Sequence, residues 1–248
     1  MTTVADQTLM KDLRIPAIDL ARTAALGGMV VFHFTRDLEM FGIAAPGTTS
    51  SGGWWLLARL VAGGFIFLSG ISLVLAQQSG FRARAYLRRL AMVIAAALLV
   101  SLATYLAVPE YFIYFGILHS IAFASVVALP FVWLPAWTSA AAAAMVWYVS
   151  ATYDRAIFDS TWAAFTGLSR ATPPSLDFLP VFPWLAPFLL GISLARAVDL
   201  RRWLGGPDLR SGWIIALGWP GRHSLAIYLI HQPVLVALIW AATQAIFR

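Results

Sequence analysis

No cysteine occurs among the 248 residues, which removes disulfides, thiolate nucleophiles, acyl-cysteine intermediates and cysteine-ligated metals together. Charge is almost as scarce. Asp, Glu, Lys and Arg make up 11% of the chain, against about 25% in a soluble domain. With 60% apolar residues and a mean hydropathy of +0.79, that scarcity excludes a soluble fold. A Gly-rich phosphate loop, a calcium-binding loop and an H-E-x-x-H pair are all missing, so no familiar short motif points to nucleotide or zinc. No repeat of 20–50 residues is visible either, which weakens a reading as a transporter built from two halves.

What is present is a series of apolar runs. Seven are long or apolar enough to cross a bilayer, which asks for about 20 residues: 18–35, 54–76, 87–108, 115–133, 136–151, 181–197 and 223–246. The fifth is short and Ala-rich, its start marked by Pro130 and Pro135. Residues Gly212–Leu217 are apolar but too short to cross between Pro207 and Pro220, and they read as an interfacial segment. The expected fold is an all-α integral membrane protein, one bundle of seven helices forming a single domain over residues 1–248.

Loop charge orients that bundle, because Lys and Arg accumulate on the cytoplasmic side. With the N-terminus inside, the inner segments hold Lys11, Arg14, Arg82, Arg84, Arg88, Arg89, Arg196, Arg201, Arg202, Arg210 and Arg222. The outer ones hold Arg36, Arg155, Arg170 and Arg248, accompanied by Asp37, Glu39, Glu110, Asp154, Asp159 and Asp177. The expected topology is N-in, C-out. The net charge of +6 follows from this segregation, so it gives no reason to invoke nucleic acid. The first run lacks a clear small-x-small cleavage site and carries Asp19 and Arg22, so it reads as a mature helix and not a secretory signal.

Ionisable groups inside a span cost about 2.5 kcal/mol or more and are retained where they face a cavity or a partner. Arg22 and His33 are eleven residues apart on the first run. At 100° per residue that is three turns and about 20°, so they share one face, with a rise of about 16 Å between them. Asp19, three residues before Arg22, is within helical pairing reach. Asp37, four residues after His33, can accept from one ring nitrogen and leave the other to take a substrate proton. The plainer reading of the same residues is anchoring at the two interfaces.

Several strings resemble, in order, the blocks of the heparan-alpha-glucosaminide N-acetyltransferase catalytic-domain family, particularly its small bacterial members. They are Ile18-Asp19-Leu20-Ala21-Arg22, then Met29-Val30-Val31-Phe32-His33-Phe34, then Phe65-Ile66-Phe67-Leu68-Ser69-Gly70. Tyr114-Phe115-Gly116-Ile117-Leu118-His119 and Pro183-Trp184-Leu185 with Leu190-Gly191 follow. The last is Gly221-Arg222-His223-Ser224-Leu225-Ala226-Ile227-Tyr228-Leu229-Ile230-His231-Gln232-Pro233. The Arg-to-His spacing is also similar to the first helix of bacterial membrane O-acyltransferases that decorate surface polysaccharides. The resemblance implies acyl transfer from cytosolic acetyl-CoA to a glycan or other polar acceptor, in the bacterial cytoplasmic (inner) membrane and without a metal. It places the donor near Arg22 and the acceptor near His33. Lysosomal members carry an Asn near the position of His33 and a catalytic His in the following loop, whereas this chain has no His between Phe34 and Leu118.

Further polar and small residues lie in and between the runs. His119 opens the fourth run on the outer side, where it can relay protons, position an acceptor, or simply bond backbone or Tyr114 at a helix end. His231 shares a stripe with Ser224 and Tyr228, and Pro233 beside it frees the Leu229 carbonyl; there it can contact an acyl-CoA chain or donate to the thioester carbonyl. Gln232 is placed to bond a neighbouring helix. Arg82, Arg84, Arg88 and Arg89 form the densest cation cluster, suited to coenzyme A phosphates and equally explained by topology alone. Arg59 pairs with Asp37 or Asp177, or snorkels outward; Gly63, Gly64 and Gly70 read as helix-packing contacts. The competing classes are a small-solute or proton-coupled transporter, with Arg22, His33 and His231 lining its path, and a non-catalytic membrane subunit. A homo-oligomer is compatible with each.

Overall fold

The computed structural model describes residues 15–153, 160–204 and 211–246, and all its regular elements there are helices. Lys11, Arg14, Arg155, Arg210 and Arg248 of the charge tally, with Asp154, Asp159 and Pro207, lie outside the described residues. The first six principal helices are α1 (Pro16–Met40), α2 (Gly52–Gln77), α3 (Ala83–Ala107), α4 (Ile117–Val127), α5 (Ala136–Thr152) and α6 (Val181–Ala197). Three short ones follow, α7 (Leu200–Leu204), α8 (Gly212–Leu217) and α9 (Trp219–Arg222), before the last principal helix, α10 (Ser224–Ile246). Four of these, α1, α2, α3 and α10, are long and apolar enough to cross a membrane. The fold is thus all-α and of membrane type.

The expected runs map onto these helices with one correction. Residues 115–133 do not form one continuous helix: α4 stops at Val127, and a 3₁₀ turn over Leu129–Val132 follows. Pro130 has no amide to donate and disfavours helical backbone at Leu129, so the helix ends before it. Eleven residues rise about 16 Å, short of the roughly 30 Å hydrocarbon core. The residues 212–217 form the short helix α8, too short to span.

Contacts between helix ends establish their directions. The Tyr86 hydroxyl near the start of α3 donates to the Ser125 carbonyl near the end of α4 at 3.1 Å, so that pair is antiparallel. Ser193 and Arg196, late in α6, donate to the carbonyls of Ala136 and Leu134 at the start of α5. The Gly221 amide, just before α10, donates to Thr23 near the start of α1 at 2.9 Å. The principal helices therefore alternate in direction, and the arginine-rich segments 82–89 and 196–202 fall at one end.

At the centre is α6, whose Phe188, Leu189 and Ile192 are fully buried. It crosses α2 at two glycines: a Cβ on Gly70 would come within 2.1 Å of the Phe188 carbonyl oxygen, and one on Gly191 within 2.1 Å of the Phe67 oxygen. Only residues without a side chain let the two backbones meet there. Outward-facing Leu98, Leu102 and Leu106 on α3, Trp137 and Trp147 on α5 and Leu238 on α10 are exposed, the pattern of a lipid-facing surface. α1 and α10 lie beside this core, and the site forms between them, α2 and α3.

Candidate functional site

The helix α1 begins at Pro16, preorganised for a first turn, with Asp19 at the positive end of the helix dipole. It continues unbroken to Met40, so Arg22, His33, Arg36 and Asp37 are held by one rod about 37 Å long. The rod carries two different environments.

Near the start of the helix, an Arg22 N–H donates to the Ser72 hydroxyl on α2, and Ser72 in turn donates to the Leu68 carbonyl. Asp19 lies 3.8 Å from the same guanidinium. Of the four clustered arginines, Arg89 on α3 is coupled electrostatically to Arg22; it is half-buried, while Arg82, Arg84 and Arg88 are exposed. Among the described residues no carboxylate oxygen stands within 4.0 Å of Arg89. Arg22, Asp19 and Ser72 thus form one partly buried polar cluster, with the Arg89 guanidinium as a second cation near it.

The C-terminal half of α1 borders a cavity of about 880 Å³. Its wall includes His33, Arg36 and Asp37 of α1, Arg59 of α2, Asp177 from the segment before α6, and Tyr228, His231 and Gln232 of α10. Arg22 is not in this wall, so the two ends of the helix are separate sites. The rings of His33 and His231 meet edge to face with centroids 5.0 Å apart. His231 Nδ1 is 2.6 Å from the Tyr228 carbonyl oxygen. A carbonyl only accepts, so Nδ1 carries the hydrogen and Nε2 presents a lone pair; that Nε2 is buried and has no partner among the described residues. A neutral His231 therefore accepts at Nε2 and does not donate to a thioester carbonyl, which corrects one of the two roles expected for it.

Asp37 does not orient His33. Its Oδ1 accepts from Gln232 Nε2 at 2.7 Å, across from α1 to α10, and no hydrogen bond from His33 reaches it. The longer-range partner wins because Gln232 projects straight across the helix pair, whereas His33 turns to His231. Arg59 stacks its guanidinium 3.6 Å over the Trp55 ring and so pairs with neither Asp37 nor Asp177.

His119 lies outside the cavity. Its Nδ1 accepts from the Gly116 amide, and its Nε2 is 3.2 Å from the Ser101 hydroxyl. Since Ser101 donates its own hydrogen to the Ile113 carbonyl, His119 donates to Ser101, and both ring nitrogens are engaged in closing the start of α4. Asp177 helps to close the same helix start. Its Oδ2 accepts from the Ile117 amide at 2.9 Å, and its carboxylate interacts electrostatically with the Tyr228 hydroxyl. Burial pushes the Asp177 carboxyl up, while the Ile117 amide, Arg36 and Tyr228 pull it down. A Cβ on Gly116 would come 2.4 Å from Asp177 Oδ2, so this approach requires glycine. Tyr105 and Tyr111 are exposed as interfacial aromatics should be, but Tyr114 buries a hydroxyl with no partner among the described residues, and burial raises it to about 12.

Sequence reasoning found His33, Asp37 and His231 but not the contacts among them, and it left Arg36 as a loop charge. The readable signal for the Gln232 pairing was a lone amide within an apolar run beside Pro233. Among the described residues no cluster of three metal-ligating side chains occurs.

The model of the family described as heparan-alpha-glucosaminide N-acetyltransferase, catalytic, matches residues 14–233. No curated protein and no solved structure matches the chain significantly.

Proposed function

We propose, from the premise that the chain belongs to the heparan-alpha-glucosaminide N-acetyltransferase catalytic-domain family, that it moves an acetyl group from cytosolic acetyl-CoA to a glycan or other polar acceptor. The single observation that carries this reading is the division of α1. A guanidinium pair stands at one end and an imidazole pair, in a cavity, about 16 Å along the same helix. Anionic phosphates suit the first end, and proton transfer suits the second.

In this account Arg22 and Arg89 hold the donor's phosphates, with Arg84 and Arg88 contributing long-range attraction from the exposed surface. The thioester enters the outer cavity. An acceptor hydroxyl or amine adds to the thioester carbonyl carbon as His33 takes its proton. The new C–O or C–N bond forms, the C–S bond breaks, and the proton returns to the leaving thiolate to give coenzyme A. His231, whose ring stands edge to face with that of His33 and whose Nε2 is a bare acceptor among the described residues, stabilises His33 while it is protonated. Asp177 and Tyr228 shape the wall, His119 closes the start of α4 outside it, and none of the three carries a proton in the reaction. The chain passes through the bilayer seven times, the short α4 completing its pass with the turn that follows it, with the N-terminus inside and the C-terminus out, in a bacterial inner membrane.

The test is release of coenzyme A by the purified protein with acetyl-CoA and a sugar acceptor. Turnover that disappears in His33→Gln, with acetyl-CoA binding retained, supports the reading; absence of turnover across hydroxyl and amine acceptors overturns it.

A further inference from the structure

The proposed proton transfer uses the imidazoles and leaves the Asp37–Gln232 pair unused. Asp37 is 1% exposed and is the only charged side chain fully buried among the described residues. One of its oxygens accepts from Gln232 Nε2. Asp37 Oδ2 and Gln232 Oε1 are both buried with no hydrogen-bond partner among the described residues, although both side chains line the cavity. Buried acceptors of this kind are costly to leave bare and are nearly always met by a donor. Arg36, one residue earlier on α1, lines the cavity but makes no hydrogen bond or ion pair to Asp37. The donors must come from what enters the cavity.

The pair's place on the helices says which part of the ligand supplies them. Asp37 is four residues beyond His33, a rise of about 6 Å, and Gln232 is adjacent to His231. A group losing its proton at His33 therefore lies about one helical turn from the two bare acceptors. A molecule with a single O–H or N–H satisfies one location and leaves the other bare. A ring that carries a second hydroxyl or amine on another carbon satisfies both.

Resting on the acetyl-transfer reading, we propose that Asp37 and Gln232 form a recognition subsite for the acceptor's non-reacting hydroxyl or amine. The pair selects ring acceptors bearing at least two hydrogen-bond donors over ring acceptors bearing one. Its clasp between α1 and α10 also holds His33 and His231 at their mutual distance, so recognition and proton transfer share one frame.

The experiment compares cyclohexylamine with 2-, 3- and 4-aminocyclohexanol, which keep the ring and amine and add one hydroxyl. Binding is measured by calorimetry without acetyl-CoA, and kcat and KM by coenzyme A release. At least one aminocyclohexanol binds the wild-type protein about tenfold more tightly than cyclohexylamine, the effect of one hydrogen bond. In Gln232→Met and in Asp37→Asn that advantage falls to about threefold or less, the change appearing more in KM than in kcat. Asp37→Asn keeps shape, so it remains informative if Gln232→Met does not fold. Equal binding of all four amines to wild type, as expected if only water meets these atoms, overturns the proposal. So does an advantage that survives both folded variants. Discrimination in binding without acetyl transfer sustains the subsite and sinks the transfer reading; transfer without discrimination does the reverse.

Discussion

The two ends of α1 solve opposite electrostatic problems with similar means. Near the start of the helix two cations are coupled electrostatically, with Asp19 and Ser72 as partners of Arg22. In the outer cavity the surplus is of acceptors: His231 Nε2, Asp37 Oδ2 and Gln232 Oε1 all stand without donors among the described residues. In the proposed reading the first end takes an anion and the second a donor-rich neutral or basic group, so that one helix holds two complementary substrates apart and a flexible arm such as pantetheine bridges the gap.

That comparison breaks most visibly at His33. His33→Gln keeps size but cannot take up a proton near neutral pH. Acetyl transfer should fall by at least about 100-fold, since a positioned base contributes 10²–10⁴-fold, while acetyl-CoA affinity stays near wild type. Retention of more than about a tenth of the rate would move the base to His231. The inner end should answer with the reverse signature. Arg22→Ala or Arg89→Ala should weaken coenzyme A binding by about tenfold, the worth of one charge-assisted hydrogen bond, with acceptor binding unchanged in calorimetry. Arg88→Ala, on the exposed side of the same helix, should change that affinity by about twofold or less, as screened surface charges do. Equal effects from Arg88 and Arg89 would dissolve the distinction drawn from their exposure. The smallest expected change is structural: Asp177→Ala removes the acceptor at the start of α4 and should lower stability by about 1 kcal/mol, read as a shift in thermal unfolding.

Much of this was legible in the sequence because the bilayer imposes its own ruler. Apolar run length located α1, α2, α3 and α10, and loop arginines fell at one end of the bundle. The fourth run misled because Ile117–Val127 and Leu129–Val132 are equally apolar, so hydropathy does not register the break that Pro130 makes. In the site, one-helix geometry put Arg22 and His33 on a common face and kept Asp37 near His33. It could not show that Asp37 would bond a residue 195 positions away, nor that Arg89 would be coupled electrostatically to Arg22. Those choices are made by how α1, α3 and α10 rotate against each other, and a single sequence carries no record of that rotation.

The absence of cysteine makes orientation accessible: Arg84→Cys should be labelled by an impermeant thiol reagent only from the cytosolic side, and Thr172→Cys only from the other. The central claim, donor at one membrane face and acceptor at the other, is tested most directly in proteoliposomes of uniform orientation. Acetyl-CoA supplied on the Arg84 face with a sugar acceptor on the Thr172 face should give acetylated sugar. Acetyl-CoA confined to the Thr172 face should give none. Transfer of equal rate when both substrates are confined to the Thr172 face would contradict the account.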